Sequence, residues 1–371
     1  MIYRLVSGTI GGTTPLAETH VEKVLVCVLC KTRAHQLTFP SFKRQVLDEL
    51  NGDLALALTI DESYNYGNPF WQHAKYRWTA PDFSDYSGAF DLAQRWLCQQ
   101  QKIAAPDWRS MLRIKGNWQG GIRSPDPQGG SGSIQIFCRW LLLHSLRQDN
   151  LLNRYDRFVI TRSDFVWLCP HPPLSVLDRG AIWLPNGEDY GGLTDRHLVA
   201  SQANVVDCLN VIEDILLYPM QLYEEMKQQP TRNLEQFLAH HFGRKGLLNK
   251  VERFPYVMYL ARSVSADYPT WSPGRYEPAV GHYVKYQKEF HTARAYATVI
   301  RSRTDWENRA WIQFQPELAA SSSASLPLRL RYACERAYYE IWRPQKILSA
   351  LIRSGHVGRF ARFCKRMLHL H

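Results

Sequence analysis

A chain of 371 residues is long for one average domain and short for three, and its 45% hydrophobic, 21% charged and 12% aromatic residues exclude a disordered, collagen-like or mucin-like protein. The formal charge of +11 calls for an anionic partner, whether nucleic acid, a phosphorylated ligand or an acidic membrane face. Arg343, Lys346, Arg353, Arg359, Arg362, Lys365 and Arg366 supply seven of those charges with no acidic residue from 342 to 371, so the remainder carries a balance ordinary for an enzyme.

In chain order, residues 1–22 hold Gly8, Gly11, Gly12 and Pro15 without periodicity and are expected to be an irregular lead-in. The apolar, Val-rich run 23–30 predicts a strand buried on both faces of a parallel sheet. Cys27 and Cys30 lie in that run at an odd separation, so they point to opposite faces and form neither a zinc site nor a disulfide. A helix over 39–50 follows, with Phe42, Val46, Leu47 and Leu50 on one face and Pro40 in its first turn. Asn51-Gly52 closes it, and the apolar run 53–60 completes a β-α-β unit.

From 61 to 132 aromatics, glycines and prolines break the pattern, apart from a helix over about 88–102. The glycine-rich stretch 119–133 lacks the Lys-Ser/Thr of a phosphate loop and the preceding strand of a dinucleotide fingerprint. It is expected to be a flexible loop, with a lid over a site as a second possibility. A helix over 134–147 then feeds a strand at 157–161, and apolar stretches at 165–168 and 181–184 lead into the turn 187–197. Helices follow at about 204–217 and 234–242. Residues 319–327 have the small, polar composition of a linker, and 328–371 predict a basic helical tail. In the tail Ile347, Leu351, Ile352, Phe360, Phe363 and Leu368 interleave with arginines, as in a helix lying on anionic lipid; a solvated basic helix is the plainer alternative. Alternating helices and strands predict an α/β fold with a mostly parallel, twisted sheet flanked by helices.

No run reaches the roughly twenty apolar residues of a membrane span, and the eight cysteines are scattered through apolar segments as buried, reduced thiols. The chain is therefore expected in the cytoplasm, with peripheral attachment to an anionic membrane through 342–371 as an option.

Ligands of open α/β sheets bind beyond the carboxyl ends of the strands. The polar residues found there are Lys31, Thr32 and Arg33, then Asp61 and Glu62, Arg162 and Asp164, and Glu188, Asp189 and Asp195. Cations and carboxylates at one edge suit a phosphorylated ligand, with a divalent cation between carboxylate and phosphate as one arrangement. Each residue taken singly is better explained by a chain turning at the surface. Tyr64, Tyr66, Phe70, Trp71, Tyr76 and Trp78, and later Trp271, Tyr276 and Tyr286, are candidates for stacking on sugar rings or for core packing.

The β-α-β start with basic residues after its first strand, and the segment from Tyr155 through Arg162-Ser163-Asp164 to Phe165, resemble the nucleotide-sugar half of GT-A-fold glycosyltransferases of the bacterial and viral surface-polysaccharide type. That family ends the strand in Asp-x-Asp, which holds Mn or Mg against the donor diphosphate. Asp164 matches the final carboxylate, while Arg162 occupies the first position. Gly191-Gly192-Leu193-Thr194-Asp195-Arg196 is similar to the acceptor loop, Asn233-Leu234-Glu235 to the acidic helix start facing the acceptor, and the segment from Gly281 to Tyr286 to the late phosphate-binding position.

The resemblance spans residues 23–285. It implies Lys31, Thr32, Arg33, Asp61, Arg162, Asp164, His282 and Lys285 toward the donor, Asp164 toward a metal, and Gly191 and Gly192 toward the acceptor; beside it, Glu188 and Asp189 in their Gly-flanked turn are candidates for sugar hydroxyls, with a solvated turn as the alternative, and Trp271 for stacking on a sugar ring. Asp195 and Glu235 are the implied catalytic carboxylates, though a first-turn helix carboxylate favouring the macrodipole accounts equally for either. The implied activity is sugar transfer from a nucleotide-diphosphate sugar to a glycan or lipid-linked saccharide. A nucleic-acid-binding or nucleic-acid-modifying protein is the rival, weakened by a basic excess confined to the tail; a donor-binding relative without catalysis is a third.

Overall fold

The computed structural model describes residues 21–309 except 124, 230 and 263–273; Trp271, the lead-in up to residue 20, and the expected linker and tail lie outside the described residues. Strand β1 (Val24–Leu29) is buried at every position. Leu25, Cys27 and Leu29 enter the main hydrophobic cluster, while the alternating Val24, Val26 and Val28 are equally covered on the opposite face. Helix α1 (His35–Phe42) starts earlier than its apolar spacing predicts and runs through a π-helical turn, Lys43–Leu47, into α2 (Asp48–Leu50). Asn51 closes it with a left-handed φ of 46°. Strand β2 (Asp53–Ile60) pairs parallel to β1, as expected of the β-α-β unit.

The stretch read as broken pattern contains two further elements, α3 (Pro69–His73) and β3 (Tyr76–Pro81), the latter parallel to β2. β3 is an edge strand whose residues alternate half-buried and exposed, so it lacks the apolar run that marks β1 and β2. Helices α4 (Ser87–Gln101) and α5 (Gly132–Gln148) follow, and α5 lays Ile136, Phe137 and Leu143 into the main cluster. The glycine-rich loop before α5 is packed rather than free. A side chain at Gly132 would collide with the backbone of Asn117 and Trp118, and Ser133 donates to the Trp118 carbonyl at 3.0 Å.

β4 (Arg157–Thr161) returns to the other side of β1, parallel to it. β5 (Phe165–Trp167), β6 (Ile182–Pro185) and β7 (Leu198–Ser201) come next, then α6 (Gln202–Leu209) and α7 (Val211–Leu217), the single expected helix broken at Asn210. Helices α8 (Pro219–Met226) and α9 (Leu234–Arg244) precede β8 (Val251–Phe254), β9 (Met258–Arg262), β10 (Arg275–Glu277) and β11 (His282–Val284). Helices α10 (Gln287–Tyr296) and α11 (Arg303–Glu307) end the described chain.

The main sheet has seven strands in the order β3-β2-β1-β4-β7-β6-β8, parallel except at β7, which runs against both neighbours. A second sheet, β10-β11-β9-β5, is antiparallel and was not predicted. Two consequences position the site. Strand order reverses between β1 and β4, which opens a crevice at their carboxyl ends. The Arg162-Ser163-Asp164 turn links the two sheets, and β5 pairing with β9 brings Arg262 beside it.

Candidate active site

At the crevice, Ser163 ties β4 to β1: its hydroxyl donates to the Lys31 carbonyl at 2.9 Å and accepts from the Arg33 amide at 2.9 Å. Lys31 reaches Asp82 at 2.6 Å and Asp61 at 3.3 Å, bridging the ends of β1, β2 and β3. The Thr32 and Tyr64 hydroxyls lie 3.1 Å apart, and Tyr64, Tyr66 and Trp71 pack edge to face. Phe70 is core, as are the rings of Phe39 and Phe42 against it.

A cavity of about 190 Å³ opens beside this crevice. Arg162, Arg196 and Lys285 supply cations to its wall, and Asp195 and Glu235 supply carboxylates. The Gly130-Ser131-Gly132 end of the glycine-rich loop also borders it. Two carboxylates 40 residues apart meet here because the 187–197 loop docks onto the start of α9. Leu193 donates its amide to the Glu235 carbonyl at 2.9 Å, and Gly192 lies so close that a Cβ would overlap that carbonyl and the Gln236 amide. Asp189 staples the loop internally, accepting from the Thr194 amide at 3.0 Å and pairing with Arg253 at 2.9 Å.

The α9 start is held just as tightly. Asn233 accepts from the Gln236 amide at 2.7 Å, the Gln236 side chain returns the bond, Asn117 accepts from the Leu234 amide at 2.9 Å, and Asn233 donates to the Tyr190 carbonyl at 2.8 Å.

The electrostatics of this junction separate the two explanations of Glu235. An exposed carboxylate in a first helical turn is favoured in its charged form by the macrodipole. Here burial, and next the neighbouring Asp195, push the Glu235 carboxyl up to about 7. Asp195 is positioned from the other side: Gln135 on α5 donates to its Oδ2, and Arg162 stands 3.9 Å from the same oxygen. Lys285 is pushed down to about 7, first by burial and then by Arg162, Arg262 and Arg196. Among the described residues its ammonium has no ion-pair partner and lies 4.5 Å from the centre of the Tyr286 ring. Arg196 is buried against Glu289, with Tyr256 at 2.9 Å and Glu188 at 3.5 Å, so it is a fixed, compensated cation.

Asp164 does not stand as a metal ligand would. Arg162 donates to both of its oxygens, at 3.1 and 2.9 Å, and Arg262 reaches Oδ2 at 3.3 Å. Burial pushes its carboxyl up, but the two guanidiniums prevail and hold it at about 2. Among the described residues no three His, Cys, Asp or Glu side chains converge as a metal set. The divalent cation implied by the family resemblance therefore does not fit this donor set, in which arginine fills both the first motif position and the coordination space of the second.

Of the residues predicted from sequence, Arg162, Lys285, Asp195 and Glu235 share the cavity wall. Lys31, Thr32, Arg33 and Asp61 lie at the adjoining strand ends, where Asp61 also caps the Ser63 amide at 2.9 Å. His282 is engaged elsewhere, with the Tyr259 hydroxyl at 3.0 Å and the Val280 carbonyl at 3.0 Å, and does not line the cavity. Gly191, Gly192 and Asp189 shape the loop, and Glu188 faces Arg196 and Tyr190. Arg196, Arg262, Gln135 and Glu289 were not among the predicted site residues. Arg262 closes β9, so a strand-end search carried past residue 250 finds it; Gln135 and Glu289 sit inside helices and carry no local signal.

No family model matches this chain, and no curated protein matches it in sequence. Among solved structures it is similar to mouse xyloside xylosyltransferase 1 in its apo form, at 9% identity and a TM-score of 0.34, over 63% of this chain and 84% of that one. It is also similar to a Desulfovibrio desulfuricans protein named as a nucleotide-diphospho-sugar transferase, at 12% identity and a TM-score of 0.29, over 63% and 79% of the two chains. Likeness at this level of identity and TM-score carries no weight on activity, which has to be read from the geometry of the site.

Proposed function

We propose that the protein is a glycosyltransferase that moves a sugar from a nucleotide-diphosphate sugar to a hydroxyl of a glycan or lipid-linked saccharide. The observation that carries this is the cavity at the carboxyl end of β4, beside the β1–β4 crevice, with Arg162, Arg196 and Lys285 on its wall and the Asp195–Glu235 pair beside them. Sugar transfer needs both: fixed positive charge where the diphosphate departs, and a base where the acceptor loses its proton.

In this mechanism the acceptor oxygen attacks the anomeric carbon, the bond from that carbon to the phosphate oxygen breaks, and the electron pair leaves on the diphosphate. The acceptor proton passes to Glu235. A carboxyl near 7 is half ionised at neutral pH and is matched to such a transfer. Asp195, held by Gln135 and Arg162, keeps the Glu235 proton affinity high and orients the acceptor. In-line displacement inverts the anomeric centre.

The test is incubation with UDP-, GDP-, dTDP- and ADP-sugars with saccharide acceptors, following nucleotide release and product mass. One donor family should be consumed, and Glu235→Gln should abolish transfer without lowering donor affinity. Equal transfer by Glu235→Gln refutes the base assignment, and no nucleotide release from any donor refutes the transferase. We also propose peripheral membrane attachment through residues 342–371, read out as salt-sensitive sedimentation with anionic vesicles.

A further inference from the structure

We propose that this site holds its diphosphate without a divalent cation, through Arg162 and Lys285, with Asp164 and Arg262 holding Arg162 in place and occupying the position a metal would take. The inference rests on the transferase assignment and concerns how that same site neutralises its ligand. Three observations carry it.

First, one carboxylate lies between two guanidiniums. Asp164 is 3% exposed and bonded to Arg162 through both oxygens and to Arg262 through one, so two guanidiniums share this carboxylate, and Arg162 has in addition only the longer 3.9 Å approach to Asp195. Bidentate arginine pairs have fixed geometry, and Arg162 is thereby aimed while its remaining donor face lines the cavity.

Second, Lys285 adds another cation to the same wall with no ion pair among the described residues. Burial first, and then the nearby Arg162, Arg262 and Arg196, depress its proton affinity, and an arriving dianion supplies a countercharge for its ammonium. The Nε of Arg262 is also buried with no hydrogen-bond partner among the described residues, an unspent donor next to this pair.

Third, a cation bridging Asp164 to phosphate would have to displace two guanidiniums from that carboxylate and sit among three positive groups. Coulomb repulsion between like charges at these separations, in a buried setting, opposes that arrangement. The two ways of neutralising a diphosphate, by metal and by arginine, exclude each other at this position.

The experiment is isothermal titration of the full chain with UDP, GDP, CDP, dTDP, ADP and inorganic pyrophosphate, in excess EDTA and again in Mn²⁺. The expected result is binding of one nucleoside diphosphate in EDTA, changed less than about tenfold by Mn²⁺, and weakened about tenfold or more in Lys285→Gln and in Arg162→Gln. Lys285 has no ion pair to lose among the described residues and its charged form is disfavoured by burial, so Lys285→Gln should melt no lower than the parent protein and keeps the test valid if Arg162→Gln unfolds. Binding that appears only with Mn²⁺, or that gains tenfold or more from it, overturns this proposal and leaves the transferase assignment standing. Undiminished binding by Lys285→Gln also overturns it. No diphosphate binding under either condition overturns both.

Discussion

Replacing Gly192 by alanine tests the claim that loop docking brings Asp195 and Glu235 together. The new Cβ would overlap the Glu235 carbonyl and the Gln236 amide, backbone atoms that no rotamer change can move aside. Relief requires the loop to lift from α9, which breaks the 2.9 Å bond from the Leu193 amide to the Glu235 carbonyl. Overpacking costs about 1–3 kcal/mol and the lost hydrogen bond about 1 kcal/mol, so about 2–4 kcal/mol in all. At about 2–4 °C per kcal/mol, Tm should fall by roughly 4–16 °C. Lifting the loop also carries Asp195 away from Glu235, removing one of the influences that raises its carboxyl, so the acid limb of the pH–rate profile should move below its parental position near 7. Gly246→Ala is the control: that glycine has a φ of 65° with open space around it, so only left-handed strain of about 1–2 kcal/mol is expected and no change in the pH profile. A Gly192→Ala protein that melts with the parent and keeps its acid limb refutes the docking account.

Three other outcomes are expected from the same geometry. Because the Glu235 carboxyl is raised from 4.5 to about 7, the folded state keeps a proton that the unfolded state has lost between those values, and stability falls as pH rises through that window. Glu235→Gln should therefore melt above the parent at pH 8 and level with it at pH 4 by scanning calorimetry; equal Tm at pH 8 contradicts the assignment. In the free enzyme, kcat/KM should rise with pH as Glu235 ionises and fall as Lys285 loses its charge, both near 7, giving a narrow bell; Lys285→Arg should remove the alkaline limb alone. Asp164→Ala leaves Arg162 and Arg262 facing each other without their shared carboxylate, at a cost of about 3–5 kcal/mol, seen as a lower denaturant midpoint. An unchanged midpoint there would show that the carboxylate is not their anchor.

Continuous apolar runs and the residues just after them were legible in the sequence. β1, β2 and β4 declare themselves because strands covered on both faces carry continuous apolar runs, and Lys31, Arg162 and Asp164 stand just beyond the runs of β1 and β4. Asp195 and Glu235 were found as members of loop and helix-start motifs. The half-exposed β3, the four-residue β7 and the second sheet escaped because short or edge strands leave no periodic signature.

What the sequence by itself determined is thus the α/β framework, the crevice edge and most of the charged groups near it. Their partners were decided by tertiary structure alone. Asp164 meets Arg262 across 98 residues through the pairing of β5 with β9, and this converts an expected metal ligand into an arginine anchor. Gly192 serves close backbone approach, and Gln135 reaches Asp195 from a helix interior. Local periodicity encodes which face of an element is apolar; it holds no record of which distant side chain will arrive beside a given carboxylate, and that neighbour sets its charge and its chemistry.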